Sequence, residues 1–349
     1  MDKRDRRIGK KTVLQRTVPE KDDVLPTPAH TMDEALEYFV QIKRAANLKD
    51  RTIQGYVQNM RYFIEWLTDR YGQMNVNDVT VDILREYIVW CATEKPYYDN
   101  HPFKTGRGRK GLSAASVNVR IRVLKVFFNT LYKEDLINTN PAENISLMRQ
   151  DIDTIEPLTD EELHRLLKAP DKRYFAQFRD YVIMTLILDT GIRLNEICSL
   201  EIHEIDFTRK RITLPASKNK NRRSRILPLS TETARLLRQL VKETAQYFDT
   251  NYVFTTNYGE PVNEKTIQKA LSQYGEKAKI TKRVTPHVLR HTFATMAAHN
   301  GMSIFHLQKI LGHADITTTR KYVQVSDNEL TEQHMQFSPI RRLKRGGSK

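Results

Sequence analysis

Helical periodicity runs through most of this 349-residue sequence, and strand-like runs replace it in one place. Over long stretches apolar residues recur every three or four positions, as they do in amphipathic helices. Residues 211–214 and 225–229 are instead two short β-type runs joined by a strongly cationic segment, which is the pattern of a β-hairpin. The sequence therefore predicts a mainly α protein with a small β-sheet.

The first part of the chain predicts a helical domain at residues 30–145. Thr31 and Glu34 form a capping box that begins the first helix, while Thr80 and Ser113 can cap the third and fourth. A longer helix lies between the first and the third. Four amphipathic helices can bury their apolar faces against one another, so we expect a small independent core.

A second domain, of mixed α+β type, is predicted at residues 159–325. It follows a linker at residues 146–158 and begins at another capping box, which Thr159 forms with Glu162. Two domains suit a chain of this length better than one small core. The remaining segments are predicted as a basic, flexible N-terminal tail and a C-terminal helix with a basic tail, at residues 1–29 and 326–349.

Charge and cysteine content narrow the classes of function. The formal net charge is +15 at pH 7 and both halves of the chain are basic, which favours a polyanionic partner such as double-stranded DNA. The two cysteines, Cys91 and Cys198, exclude a disulfide framework and a cysteine zinc cluster. The charged N-terminus and the lack of a long apolar run predict a cytoplasmic protein without a membrane segment.

Two basic segments are candidates for contacts with the DNA backbone. One is a glycine-containing loop at residues 95–111, which is either a solvated mobile loop or a finger along the phosphates. The other is the turn of the hairpin. The candidate residues are Lys104, Arg107, Arg109 and Lys110 in the loop, and Lys220, Arg222, Arg223 and Arg225 in or beside the turn.

Candidate catalytic residues gather near the end of the sequence. His287 and Arg290 lie three residues apart and so share one face of a predicted helix, and His313 and Tyr322 follow. A phenol, two imidazoles and a guanidinium suggest phosphate chemistry with tyrosine as the nucleophile. Attack on a phosphodiester builds negative charge on its non-bridging oxygens, and Arg193, at a predicted helix start, is the best second cation to bind them.

The leaving 5′ oxygen also needs a proton, and a lysine of the hairpin turn can supply it. The neighbouring cations of the turn tend to lower the pKa of such an ammonium group, which suits it to this role. We assign the role to Lys218, with Lys220 as the open alternative. No carboxylate cluster of metal-binding type accompanies these residues. We therefore expect neither a metal nor a cofactor.

Taken in order, these motifs resemble the active-site boxes of the tyrosine recombinases, the phage-integrase family. The resemblance rests on residues 189–197, the hairpin lysine, residues 287–290, residues 311–313 and Tyr322. It implies that Arg193 and Arg290 clamp the phosphate, that Tyr322 is the nucleophile and that His287 and His313 are the site histidines. It further implies that Glu196 orients a histidine.

The resemblance also implies an architecture and a reaction. The helical domain corresponds to a SAM-like core-binding domain that forms a C-shaped clamp on DNA with the catalytic domain. Cleavage gives a covalent 3′-phosphotyrosine, and four subunits exchange strands through a Holliday junction, in which accessory recombination proteins can take part. In this family a C-terminal helix docks into a neighbouring subunit, so the helix predicted within residues 326–349 either does the same or packs on its own domain.

Several biological roles fit this chemistry. We expect DNA integration or transposition of a mobile element. The N-terminal tail is smaller than the arm-binding domain of many phage integrases, which favours a transposon-encoded or Xer-like enzyme. Xer-like resolution of chromosome or plasmid dimers is the main alternative. A type IB topoisomerase, which uses similar chemistry on one duplex, and a DNA-binding protein without catalysis are the other two.

Overall fold

The structure is a computed structural model and describes residues 30–96, 110–150, 156–218, 223–320, 322 and 334–335. The chain divides into two compact units, residues 1–152 and 153–349, which are described separately below. Among the described residues, no helix combines the length and the apolar character that crossing a membrane would require.

The described part of the first unit is built from four α-helices, as predicted. They are α1 (Met32–Ala45), α2 (Asp50–Tyr71), α3 (Val81–Thr93) and α4 (Ala114–Lys133). The predicted capping box at Thr31 is confirmed, since its hydroxyl accepts from the Glu34 N–H and the Glu34 carboxylate accepts from the Thr31 N–H. Thr80 and Ser113 cap α3 and α4 in the predicted way.

Aromatic side chains form the core of this first unit. Phe39, Phe63 and Phe127 are fully buried and contact one another or neighbouring rings at centroid separations of 5.0–5.6 Å. The hydroxyl of Tyr87 lies in the same core and accepts a 2.7 Å hydrogen bond from Arg120. That bond satisfies a buried polar group that would otherwise weaken the core.

The predicted basic loop leaves this unit between α3 and α4. A bridge between Pro96 and Lys110 closes its base, and Gly111 N–H donates to the Lys95 carbonyl at 2.9 Å. Lys110 is exposed beside that bridge. Lys104, Arg107 and Arg109 lie outside the described residues.

The described part of the second unit contains eight α-helices and one small sheet. The helices are α5 (Asp160–Lys168), α6 (Phe175–Thr190), α7 (Leu194–Cys198), α8 (Thr231–Ala245), α9 (Glu264–Lys277), α10 (Pro286–His299), α11 (Ile304–Leu311) and α12 (Thr317–Arg320). The strands are β1 (Ile205–Asp206), β2 (Arg211–Leu214) and β3 (Arg225–Pro228). This confirms the prediction of a mainly α protein with a small β-sheet.

The sheet is antiparallel throughout, in the order β1-β2-β3. The hairpin of β2 and β3 was predicted, whereas β1 was not, because two residues are too short to show an alternating pattern. Ile212 pairs with Leu227, and both side chains are fully buried in the core of the unit.

Helix α6 runs through the centre of this core and packs on α8 and α10. Its apolar residues surround the helix on nearly all sides, which explains why the segment reads as a continuous apolar run. Gly191 ends α6 in the left-handed conformation, at φ 62°. Its Cα faces Phe293 on α10 and Leu311 on α11, so three elements meet at this one residue.

The C-terminal helix predicted from residue 326 onward and the basic tails lie outside the described residues, apart from the isolated pair His334 and Met335.

Candidate active site

The end of α6 positions the first predicted arginine. After the turn at Gly191, Arg193 takes the N-cap position of α7, and its backbone N–H donates to Glu196 Oε2 at 3.0 Å. Its side chain donates to Glu196 Oε1 at 3.3 Å and to the Gly312 carbonyl at 3.2 Å. The side chain of Arg193 remains 24% exposed, so it can still reach a ligand.

Helix α10 carries the second arginine and the first histidine. Thr285 caps this helix and Pro286 occupies its first position, where a missing N–H costs nothing. His287 is exposed in the first turn, while Arg290, one turn on, is 6% exposed. Arg290 donates to the carbonyls of Gly191 and Leu311, the latter at 2.8 Å.

Burial, followed by the positive charge of Arg193, lowers the pKa of Arg290 from its ordinary value. A guanidinium nevertheless stays protonated at neutral pH. The site therefore concentrates positive charge at a place where water screens it poorly, which favours the binding of an anion.

The C-terminal end of α11 is the meeting point of three arginines. Arg225 donates to the Ile310 carbonyl at 3.1 Å, Arg290 to that of Leu311 and Arg193 to that of Gly312. The last carbonyls of a helix have no partner within the helix and carry its partial negative charge. Three guanidinium groups thus satisfy three successive carbonyls and fix the turn that leads into His313.

His313 connects Arg290 to the short helix α12. Its Nε2 lies 3.1 Å from Arg290 Nη2, and its Nδ1 lies 2.9 Å from Thr319 Oγ1. Because the guanidinium can only donate, Nε2 accepts and the ring proton of a neutral His313 belongs on Nδ1, where Thr319 accepts it. The predicted histidine and arginine are therefore in direct contact.

Glu196 is 1% exposed and binds two arginines. Its carboxylate accepts two hydrogen bonds from Arg225, at 2.9 and 2.6 Å, in addition to those from Arg193. Burial raises the pKa of this carboxyl, but the hydrogen bonds and charge of Arg225 outweigh burial, so the net pKa is lowered and the group is ionised.

These contacts correct two expectations from the sequence. Glu196 was expected to orient a histidine, yet its hydrogen bonds go to Arg193 and Arg225. Arg225 was expected to contact the DNA backbone, but its side chain is only 5% exposed and is bound to the carboxylate. A buried guanidinium in a two-pronged ion pair is not available to a phosphate of the DNA surface.

Tyr322 lies close to the same elements but is itself buried, at 6% exposure. It belongs to a small apolar cluster with Phe293 of α10 and Leu307 and Leu311 of α11. Its ring lies against that of His291, with centroids 5.1 Å apart. The predicted nucleophile therefore packs on the two helices whose residues make the arginine cluster.

Lys218 is placed differently from the expectation. Its ammonium donates to the Ser199 carbonyl at 2.6 Å and to carboxylate oxygens of Glu201 and Glu204 at 2.9 Å each. Burial acts to lower the pKa of Lys218, but hydrogen bonds to the two carboxylates outweigh it and the net pKa is raised. The predicted lowering by neighbouring cations is therefore wrong for this residue.

One groove brings four of the predicted residues together: Arg193, His287, Arg290 and His313 line it. Lys282 and Arg283 line it as well and were missed, because two adjacent basic residues before α10 carry no distinguishing motif. Arg223 of the hairpin is exposed, and Lys220 and Arg222 lie outside the described residues. In the part of the chain that the structure describes, His, Cys, Asp and Glu form no group of three that could bind a metal ion.

Comparison with known proteins matches both units of the chain to one family. The model of the Phage integrase family matches residues 156–329, and that of the Phage integrase SAM-like domain matches residues 32–147. The first range contains every residue of the candidate site.

Individual proteins show the same likeness. Tyrosine recombinase XerD of Staphylococcus haemolyticus is 32% identical over 238 residues, 66% of this chain and 78% of that protein. Tyrosine recombinase XerC of Bacillus subtilis is 27% identical over 295 residues, 80% of this chain and 96% of that protein. The fold is similar to that of the Tn1549 transposon integrase in complex with a circular intermediate DNA, with a TM-score of 0.66, 24% identity and coverage of 88% of this chain and 100% of that one.

Proposed function

Because this chain belongs to the phage integrase family of tyrosine recombinases, which break and rejoin DNA, we propose that Tyr322 cuts one DNA strand by forming a covalent 3′-phosphotyrosine. The observation that carries the proposal is the arginine cluster around the groove. Arg193 and Arg225 bind the carboxylate of Glu196. Among the described residues, the groove itself is lined by four cations, Arg193, Arg290, Lys282 and Arg283, against two carboxylates, Glu156 and Glu264, which leaves positive charge in excess there. A scissile phosphate would supply the missing anion.

In the proposed step the phenol oxygen of Tyr322 attacks phosphorus, a new P–O bond forms and the bond to the 5′ oxygen breaks. Arg193 and Arg290 bind the non-bridging oxygens, where negative charge grows in the transition state. The phenol proton passes to a groove imidazole, His287 or His313, since imidazole is the side chain that accepts protons near neutral pH. Rejoining reverses the step and conserves the bond energy.

The proton for the 5′ oxygen comes, in this proposal, from Lys220 rather than Lys218. Sequence reasoning left both lysines open. Lys218 is engaged by two carboxylates that raise its pKa, which makes it a poorer proton donor. Lys220 is the other lysine of the same turn.

For the biological role we propose strand exchange between two DNA sites by a homotetramer. Integration or transposition of a mobile element is the first candidate. Xer-like dimer resolution is the second, because the XerC and XerD relatives match over most of their own length. Mapping the covalent attachment points on genomic DNA separates the two, since element ends support the first candidate and one chromosomal site supports the second.

The chemistry is tested with a nicked substrate that traps the covalent intermediate. The wild-type protein should form a denaturant-resistant DNA adduct, and Tyr322→Phe should form none while retaining DNA affinity, since one hydroxyl adds little to many phosphate contacts. Tyr258→Phe is the matched control, because Tyr258 is an exposed tyrosine of the same unit. An adduct of normal yield from Tyr322→Phe would remove this residue from the role.

A further inference from the structure

We propose that Arg225 is a positioning residue, which keeps Arg193 available to the scissile phosphate by binding Glu196 and the end of α11. The inference rests on the proposed function, because it assumes that Arg193 binds the phosphate. It assigns to a buried hairpin arginine a part in the chemistry that requires no contact between Arg225 and DNA.

All three nitrogens of the Arg225 guanidinium are used inside the protein. Nη1 and Nη2 donate to the two oxygens of Glu196, and Nε donates to the Ile310 carbonyl. The side chain also lies directly under the turn at Gly312, where an added Cβ would come within 3.0–3.2 Å of its guanidinium and Cδ. Arg225 therefore connects strand β3, the carboxylate beside Arg193 and the turn before His313.

Arg225 and Arg193 compete for the carboxylate of Glu196, and this competition explains why the contact between Arg225 and Glu196 affects Arg193. Arg225 makes the two short hydrogen bonds to the carboxylate, whereas Arg193 makes only a longer one through its side chain, at 3.3 Å. Without Arg225, the ionised and buried Glu196 would have Arg193 as its remaining hydrogen-bonded cation. Arg193 would then form the two-pronged pair itself and turn its donors away from the groove.

The three carbonyls at the end of α11 show a second part of the role. Arg193 and Arg290 each donate to one of them, but in the proposed reaction both must also serve the phosphate. Of these three arginines, only Arg225 has no proposed contact with the phosphate, so its hydrogen bond to the helix end does not have to change when DNA binds. Arg225 can keep the turn before His313 in place while the other two arginines engage the substrate.

The test compares cleavage of a normal phosphodiester with cleavage of a methylphosphonate at the scissile position, under saturating protein. The methylphosphonate lacks one negative charge, so it depends less on a correctly placed Arg193. We expect Arg225→Met to slow cleavage of the normal substrate by roughly 10²-fold or more, as loss of a preorganised donor does, and to slow the methylphosphonate by less than about 10-fold.

Two further variants separate positioning from simple stability. Adding Glu196→Gln to Arg225→Met removes the charge that would capture Arg193, and should restore part of the rate on the normal substrate. Arg179→Met is the matched control, because Arg179 is equally buried and is paired with Asp180 in the same unit. It should leave the ratio between the two substrates at the wild-type value.

Two outcomes would overturn the inference alone: equal slowing of both substrates by Arg225→Met, or no recovery in the double variant, in a protein whose wild type forms the Tyr322 adduct. Absence of that adduct in the wild type would instead remove the proposed function. If Arg225→Met does not fold, Arg225→Lys replaces it, since lysine retains the charge but not the fork. Its substrate ratio should then lie between those of wild type and Arg193→Lys, and a wild-type ratio would count against the inference.

Discussion

Replacing Lys218 by alanine should destabilise the catalytic unit more than it slows the chemistry. In the structure Lys218 joins Glu201 and Glu204 to the Ser199 carbonyl, and the side chain of Glu204 is only 4% exposed. A buried carboxylate that loses a hydrogen-bonding cation costs about 1–3 kcal/mol of unfolding free energy. For a unit of this size that corresponds to a fall in Tm of roughly 2 to 12 °C.

The same variant has a defined pH dependence. Hydrogen bonding to Lys218 lowers the pKa of Glu201, so this carboxylate contributes stability above its unfolded pKa and loses the contribution as pH falls through the folded value. The raised pKa of Lys218 contributes below its unfolded value and is lost only at alkaline pH. The difference between wild type and Lys218→Ala should therefore be largest near neutrality and shrink below about pH 4.

Urea unfolding at several pH values measures the stability effect, and cleavage of normal and 5′-bridging phosphorothiolate substrates measures the chemistry. Sulfur leaves without a proton, so the second substrate bypasses the general acid. Lys220→Ala should lose about 10²- to 10⁴-fold on the normal substrate and recover on the sulfur one, whereas Lys218→Ala should change little on either. A large loss in Lys218→Ala that sulfur rescues would refute the reasoning and return the acid role to Lys218.

Two other predictions concern packing and assembly. Gly191→Ala should lower the free energy of unfolding, measured in urea, by roughly 2–5 kcal/mol, because the left-handed backbone disfavours a Cβ and the new atom would lie 2.5 Å from Phe293. Gly301→Ala is the control, since Gly301 has φ 83° but no atom within 4 Å of the added Cβ. It should lose only the backbone contribution of about 1–2 kcal/mol. Equal losses would show that packing at Gly191 is irrelevant. Removing residues 326–349 should preserve binding to a single DNA site in mobility shifts but abolish higher-order complexes and two-site recombination; recombination at the full-length rate would contradict subunit docking by this segment.

The sequence predicted the helices well because their signals are local. A capping box such as Thr159 with Glu162 involves residues three apart, and both of its hydrogen bonds occur in the structure. The groove residues were predicted for a different reason, since the order of several motifs along the chain indicated a family whose members bring those positions together. The resemblance to tyrosine recombinases is confirmed by the family models and the relatives.

The partners of charged side chains could not be predicted in this way. Strand β3 alternates in burial, which places Arg225 on the same face as Leu227 and leaves Ile226 exposed. From sequence alone both faces of the strand carry an apolar residue, so the alternation does not say which face is inside. The partners of Lys218 could not be predicted either. The carboxylates that raise its pKa belong to Glu201 and Glu204, in the segment before β1, and no sequence pattern links that segment to the hairpin.

The contacts at the end of α11 suggest how substrate binding and the nucleophile are connected. Arg193 and Arg290 donate to the carbonyls of Gly312 and Leu311. Donors that turn to a phosphate must weaken those bonds, because each guanidinium has a fixed set of N–H groups. Leu311 also packs on Tyr322, so a shift of this turn changes the packing of the buried phenol. We therefore expect that the two arginines proposed to bind the scissile phosphate also act on the segment that carries Tyr322, the proposed nucleophile.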